Sequence, residues 1–411
     1  MTSFSLNPVP PAETLLESDA DVCAAAERVA AAFEARPFES DPEGRIVAVT
    51  WNVWFAPTAF DQRLRALVLE VLEVAPDLVG LQEVTPRFEA ALRGCKPLRM
   101  AYHFSPFSVG QYGCLVLVRR TLPVLFTQVK LPTEMDRSLV AAAISARSSS
   151  SSAPRDLPVL IFATVHLESR NAPETRRKQL RAIRTFFDAS EYCGAAKILC
   201  GDFNFDDRQS WGDWQRQAPL LPKSQLENRC LEKILPSMID CWEFLRRKDE
   251  RGEEREGGED EDEDGATFSG RSNACCVDDA GEVMRYDRFL FAPPSAPSAC
   301  IPASQRAAGG RKRREAGAEG EAGGGGEEEE EEASSCCVPW SIRRMGTEPF
   351  PLAPRGGRCY HAESRYPQRE VKEVEPGCGG GAFSSPSNRR ALMKASDHYG
   401  LCLEVTGVLT N

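Results

Sequence analysis

From Arg45 onward the chain alternates between short, nearly unbroken apolar runs and longer segments whose apolar residues recur three and four positions apart. A short continuous run bounded by turn residues fits a strand buried on both faces; the three-four spacing fits a helix with one apolar stripe. On this basis RIVAVTWNV (45–53), LVGLQEV (78–84), CLVLVR (114–119), LVAAAISA (139–146), PVLIFATVHL (158–167), AKILCGDFN (196–204) and MRYDRFLF (284–291) read as strands. Leu64, Leu67, Val68, Val71 and Leu72 predict a helix over about 61–74, stopped by Pro76-Asp77. A second amphipathic helix, rich in arginine, is predicted over about 173–190. Leu15, Leu16, Val22, Ala26, Val29 and Phe33 predict an N-terminal helix over about 13–35 that packs on the main domain or frays. Residues 1–44 are too few to bury a core alone. Near the C-terminus, KASDHYGLCLEV (394–405) places Leu401, Leu403 and Val405 on alternate positions, the period of a half-buried strand.

That last strand follows a low-complexity stretch, 293–390, with Gly323–Gly326 and a run of six glutamates. A second interruption, 249–265, is an acidic loop. Neither has the apolar periodicity a packed element requires, so both are expected to be disordered. The organisation expected is an N-terminal helical extension (1–44) and one domain made of 45–292 plus 391–411, carrying the two inserts. The final strand can pair back across the second insert because closure entropy grows only logarithmically with loop length.

Composition changes this picture in three ways. The net charge of −11 comes from the inserts: residues 249–264 carry eleven acids against two arginines, and Glu327–Glu332 add six charges, so the remainder nets +4. A mildly basic body permits a phosphate-bearing partner. The 15 cysteines include no CxxC spacing, which points to mostly free thiols in a reducing compartment. No run of eighteen apolar residues exists to cross a membrane, and the N-terminus lacks the pattern of a secretory signal.

Five predicted strands end in polar residues: Asn52 after TWN, Glu83 in LQE, His166 in VHLES, Asp202 and Asn204 in GDFN, and Asp397-His398 in SDH. Only four histidines exist in the chain, and two lie in these clusters. In this order the set resembles the endonuclease/exonuclease/phosphatase superfamily of magnesium-dependent phosphoesterases, built on a four-layer α/β sandwich of two packed mixed sheets flanked by helices. LQEVTP, HLESR, IDCWEFL, RYDRFLF and SDHYGL are similar to the branch that contains the tyrosyl-DNA phosphodiesterases.

The resemblance implies Mg²⁺ as cofactor, with Mn²⁺ able to substitute, held by Glu83 with Asn52 and Asp397. A hard divalent ion of this kind takes one or two carboxylates and otherwise keeps water. Asp202 would orient or deprotonate the attacking water, with Asn204 holding it or the phosphate. His398 would donate to the phosphate, with its tautomer set by Asp287, and His166 would be a second donor. Arg137, Ser169 and Phe268 fall where they could meet DNA. Much of the superfamily has an acid two residues after the asparagine, where this chain has Trp54; Trp54 and Phe55 either pack under a loop or line the cleft. The substrate implied is DNA with a 5′-phosphotyrosyl or similarly blocked end, cleaved in repair of topoisomerase–DNA adducts by a monomer. The alternatives are another phosphoester (RNA, a 2′-5′ linkage, a phosphate monoester or a lipid phosphodiester) or a non-catalytic scaffold that binds basic proteins through its acidic inserts. RKRR (311–314) reads either as a nuclear import signal or as a solvated basic run, so a nuclear location is expected and a cytoplasmic one is the alternative.

Overall fold

The computed structural model describes residues 11–35, 44–145, 158–213, 222–249, 265–270, 273, 281–294 and 396–406, with a few strand segments between 338 and 393. Most of the acidic insert, RKRR and the glutamate run lie outside the described residues.

Two six-stranded mixed sheets form the centre. The first contains β1 (Ile46–Asn52), β2 (Leu78–Val84), β3 (Tyr102–Phe104), β4 (Gly113–Arg119), β13 (Val338–Met345) and β14 (Gly400–Thr406), in the order β13-β14-β1-β2-β4-β3. The second contains β5 (Val124–Lys130), β6 (Ser138–Ser145), β7 (Pro158–His166), β8 (Ala196–Asp202), β9 (Ile239–Asp240) and β12 (Asp287–Ala292), in the order β5-β6-β7-β8-β12-β9. A two-stranded ribbon, β10 (Phe268–Ser269) with β11 (Val283–Met284), lies beside them.

Alternation along the strands sorts side chains into three apolar layers. Ile46, Ala48, Leu78, Val116, Phe162, Ile198, Phe289, Leu401, Leu403 and Val405 meet between the sheets. Val47, Val49, Trp51, Val79 and Leu81 point the other way, onto α1 (Ala20–Ala35), α2 (Phe60–Val74), α3 (Pro86–Gly94) and α4 (Lys96–Ala101). Leu139, Ile161, Ala163 and Leu199 face α5 (Pro173–Phe187) and α6 (Arg229–Ile234), through Leu180, Ile183 and Ile234. A seventh helix, α7 (Cys241–Asp249), follows β9 directly. The result is the four-layer α/β sandwich expected, and the N-terminal helix is packed rather than frayed, with Val22, Ala26, Val29 and Phe33 buried. No described helix is long and apolar enough to cross a membrane. Seven described cysteines are free thiols, and Cys193 is disulfide-bonded.

Two expectations change. MRYDRFLF is two strands, because the chain passes from one sheet to another at Arg285 and Tyr286: β11 pairs with β10, and β12 with β8 and β9. The stretch 293–390 contains β13, an edge strand paired antiparallel with β14 from Val338↔Thr406 to Met345↔Gly400. Its sequence, VPWSIRRM, lacks simple alternation, so its periodicity gave no warning. An edge strand is held by backbone hydrogen bonds to one neighbour, which demand little of its side chains. Excising residues 296–335 is therefore expected to leave the unfolding temperature within a few degrees of the parent. Extending the deletion through Met345 strips β14 of its neighbour and is expected to lower it clearly, by about 5 °C or more. Equal unfolding temperatures for the two deletions would show that β13 contributes nothing.

Candidate active site

The strand pairing explains why the polar residues converge. β1 and β2 run parallel, as do β7 and β8, so each pair ends on the same side. β12 and β14 run antiparallel to their neighbours and therefore begin there. In register, His166 lies beside Asp202, and Asp202 beside Asp287. Asn52 and Glu83 come from the first sheet, and His398 lies two residues before β14.

The backbone bends sharply at these ends. Trp54, Glu83 and Asn204 have φ of 57°, 59° and 56°, a left-handed conformation that costs a non-glycine residue roughly 1–3 kcal/mol. Gly201 has φ +128°, and a Cβ there would sit 1.9 Å from the Val165 carbonyl oxygen, so only glycine fits before Asp202.

Asp202 is the hub. Its Oδ2 accepts from Asn52 Nδ2 at 3.0 Å and lies 3.4 Å from His166 Nε2 and 3.9 Å from His398 Nε2. Its Oδ1 accepts from the Asn204 amide at 2.8 Å, and the Asn204 side chain donates to the Leu167 carbonyl at 3.0 Å. Burial, with Asp287 alongside, pushes the Asp202 carboxyl up to about 6 despite the opposing pull of His398.

The two histidines are held in different protonation states. His398 Nδ1 lies 2.7 Å from Asp287 Oδ2, so that nitrogen carries a proton. Burial disfavours its charge, but Asp287 and Asp397 outweigh that and raise it to about 10, making His398 an imidazolium. His166 Nδ1 instead lies 2.9 Å from Arg137 Nη1. A guanidinium can only donate, so Nδ1 accepts and the single proton sits on Nε2, facing the site. Burial and the Arg137 and His398 charges hold His166 well below its usual value and keep it neutral.

Glu83 faces the other side of the hub, with Oε1 4.0 Å from His166 Nε2 and Oε2 accepting from the Phe55 amide at 3.1 Å. Burial and then the negative charge of Asp397 raise it to about 7. Half-buried Glu83 and buried Asp397, two carboxylates that repel each other, form a hard oxygen donor set, which suits a divalent cation. Asp202, Asp287 and His398 also have ligand atoms within 4.8 Å of one another, a second candidate cation position. A protonated imidazole tied to Asp287 offers no lone pair, so Glu83 and Asp397 fit a metal better.

The SDH segment is anchored from several sides. Ser396 Oγ donates to the Asn52 carbonyl at 2.5 Å, Asn273 Nδ2 to the Ser396 carbonyl at 2.9 Å, and Trp51 Nε1 to the His398 carbonyl at 3.0 Å. The Asp287 amide donates to Thr267 Oγ1 at 2.9 Å. Thr267 and Asn273 carried no signal in the sequence, and Ser396 entered only as part of the SDH motif, because their role is to hold other site residues.

The residues expected to meet DNA are placed differently from the core set. Arg137 is buried and donates to Ser169 Oγ at 2.8 Å as well as to His166, so both hold the site together. Phe268 is 1% exposed and packs with Met284 and Tyr286 behind His398, its ring edge-on at 5.2 Å. Trp54 is buried beneath the Arg63 guanidinium, 4.6 Å over its ring, and its amide donates to Asn52 Oδ1 at 3.0 Å. It packs under the loop, because the left-handed turn at residue 54 directs it inward. Half-buried Phe55 takes the position beside Glu83 and stacks on Tyr112 at 5.3 Å, a residue the strand pattern gave no reason to single out.

The profile of the Endonuclease/Exonuclease/phosphatase family matches residues 49–301, and the chain belongs to that family. It is a phosphoesterase-type hydrolase by that membership. The fold is similar to D. rerio TDP2 complexed with single-strand DNA product, at 18% identity and TM-score 0.49, covering 88% of this chain and 98% of that one. TDP2 from C. elegans is similar at 16% identity and TM-score 0.48, covering 99% of this chain and 97% of that one. The human Nocturnin catalytic domain with bound sulfate is similar at 16% identity and TM-score 0.39, over 60% of this chain and 82% of that one. No curated protein matches significantly.

Proposed function

We propose that the protein is a Mg²⁺-dependent phosphodiesterase that releases tyrosine from 5′-phosphotyrosyl DNA and leaves a 5′-phosphate. The observation that carries the phosphodiesterase reading is the Asp287–His398 pair facing Asp202, an acid and a base 3.9 Å apart in one buried cluster. Asp202, held by Asn52 and Asn204, accepts the proton of the attacking water. His398 donates its Nε2 proton toward the phosphoryl oxygen on which charge develops, and Asp287 stabilises the cation it carries. His166, neutral with its proton on Nε2, donates a hydrogen bond to a nonbridging oxygen. Glu83 and Asp397, with Asn52 beside them, would hold Mg²⁺, which would neutralise the phosphate charge.

The tyrosyl specificity rests on the LQEVTP, WEFL, YDRFLF and SDHYGL similarities and on the aromatic Phe55–Tyr112 pair beside the site, which suits an aromatic leaving group. DNA end repair in the nucleus follows from that reading. Purified protein with Mg²⁺ is expected to cleave 5′-phosphotyrosyl DNA and to leave abasic DNA, RNA and inositol phosphates largely intact. Turnover of RNA or a lipid phosphodiester with none of the tyrosyl substrate would refute the specificity. Turnover undiminished in excess chelator would refute the metal.

A further inference from the structure

We propose that the exposed face of α5 is a docking surface for the phosphate backbone of a nucleic acid strand whose end occupies the site, an inference that rests on the reading above. Residues 173–187 contain Arg176, Arg177, Lys178, Arg181 and Arg184 against the single acid Glu174. That is a net +4, equal to the whole net charge of the chain outside its two acidic tracts, so the rest of the body is balanced. On this helix that charge is local, gathered within fifteen residues.

The helix divides cleanly into faces. Gln179, Leu180, Ile183 and Phe187 are buried against the second sheet. Arg177, Lys178, Arg181 and Arg184, at positions i, i+1, i+4 and i+7, share the opposite face. Arg176 is committed inward, to Glu227 through Nε and Nη2 at 2.7 and 2.6 Å. Arg177 pairs with Glu174, and Arg184 with Asp188 at 3.1 Å. Lys178 and Arg181 are exposed and make no ion pair among the described residues.

Position gives this charge a use. Arg176 Nη1 donates to the Glu168 and Arg170 carbonyls at 2.7 Å each, and Gln179 Nε2 donates to Glu168 Oε2 at 3.1 Å while its Oε1 accepts from the Glu168 amide at 2.9 Å. The second turn of α5 is thereby fastened to the loop that begins at His166. The basic face follows that loop and runs about 11 Å from Arg177 to Arg184, alongside roughly three phosphates of one strand. A stripe of cations continuous with a phosphoesterase site is the electrostatic footprint of a polyanion.

The test uses the Lys178→Glu/Arg181→Glu double variant of the full chain, with single-stranded 5′-phosphotyrosyl DNA of four and twenty nucleotides as probes. Binding of the twenty-mer, measured by fluorescence anisotropy in excess chelator, is expected to weaken about tenfold. The slope of log affinity against log salt is expected to flatten by about 1.4, for two lost contacts to a single strand. With Mg²⁺, KM for the twenty-mer is expected to rise about tenfold at unchanged kcat, and KM for the four-mer to stay the same. Lys96→Glu, on the helical layer of the other sheet, is expected to leave all of these unchanged. Unaltered binding and salt slope in the double variant would overturn the proposal, as would an equal loss in Lys96→Glu. Tighter binding in the double variant would also overturn it, since the helix would then be covered by an acidic stretch of this chain. If wild type binds the twenty-mer but cleaves neither probe, the activity reading fails alone and the binding arm still decides the surface.

Discussion

Glu83→Gln is expected to abolish Mg²⁺-dependent hydrolysis and most Mg²⁺ affinity while leaving the protein folded. Glutamine keeps the shape and can still accept from the Phe55 amide, but it has no charge to offer a cation. The same substitution is expected to change metal-free stability in a direction that reports the mechanism. The Glu83 carboxyl titrates near 7 in the fold, above its ordinary value of 4.5, so it binds a proton more tightly folded than unfolded. Its contribution is fully present below about 4.5 and is lost as pH rises through 7. Without metal, the variant is therefore expected to melt a few degrees above wild type at pH 8 and together with it near pH 4.5. Metal binding requires the carboxylate, so wild-type Mg²⁺ affinity by calorimetry is expected to be about tenfold weaker at pH 6 than at pH 8. A flat affinity across that interval, or a variant less stable than wild type at pH 8, would remove Glu83 from the metal site.

The second large effect concerns the His398 pair. His398→Ala removes the cation facing the reacting phosphate and is expected to lower turnover by about 10²–10³-fold, the usual loss for one transition-state donor. Asp287→Asn leaves the imidazole in place but removes the charge that holds it protonated, and a loss of similar size is expected. Because the two act as one unit, the double variant is expected to be no more than about threefold worse than either single. Binding of the DNA end in chelator is expected to survive in all three, since neither residue is needed to hold the strand. Multiplying losses in the double variant would show that Asp287 and His398 act independently.

The polar residues that converge at the strand ends were largely legible in the sequence. Asn52, Glu83, His166, Asp202, Asn204, Asp287, Asp397 and His398 all belong to strand ends, and the structure gathers those ends on one side of the two sheets. The alternation of Leu401, Leu403 and Val405 correctly placed the last strand against the inter-sheet core. Such patterns survive in sequence because a buried run and the polar residue that ends it are local properties of one strand.

What the sequence misassigned has a common cause. Phe268 and Trp54 were candidates for substrate contact by position in a motif, yet both rings are buried, one behind His398 and the other under Arg63. Whether an aromatic next to a site residue faces in or out depends on backbone direction at the strand end and on which distant side chain fills the space. Arg137 and Ser169 likewise became supports of His166 rather than free ligands for DNA.

By itself, then, the sequence determined which strands would be buried, that two sheets would pack between helices, and which polar groups would end those strands. Only the tertiary structure decided that His166 is a neutral donor and His398 a cation. That difference arises because one Nδ1 meets a guanidinium from a loop 29 residues away in sequence and the other a carboxylate 111 residues away. It alone also showed that β13 extends the first sheet and that the arginine-rich helix α5 is fastened to the loop leading from the site. Protonation state and surface charge arise from groups brought together across the fold, and no local pattern encodes who those neighbours are.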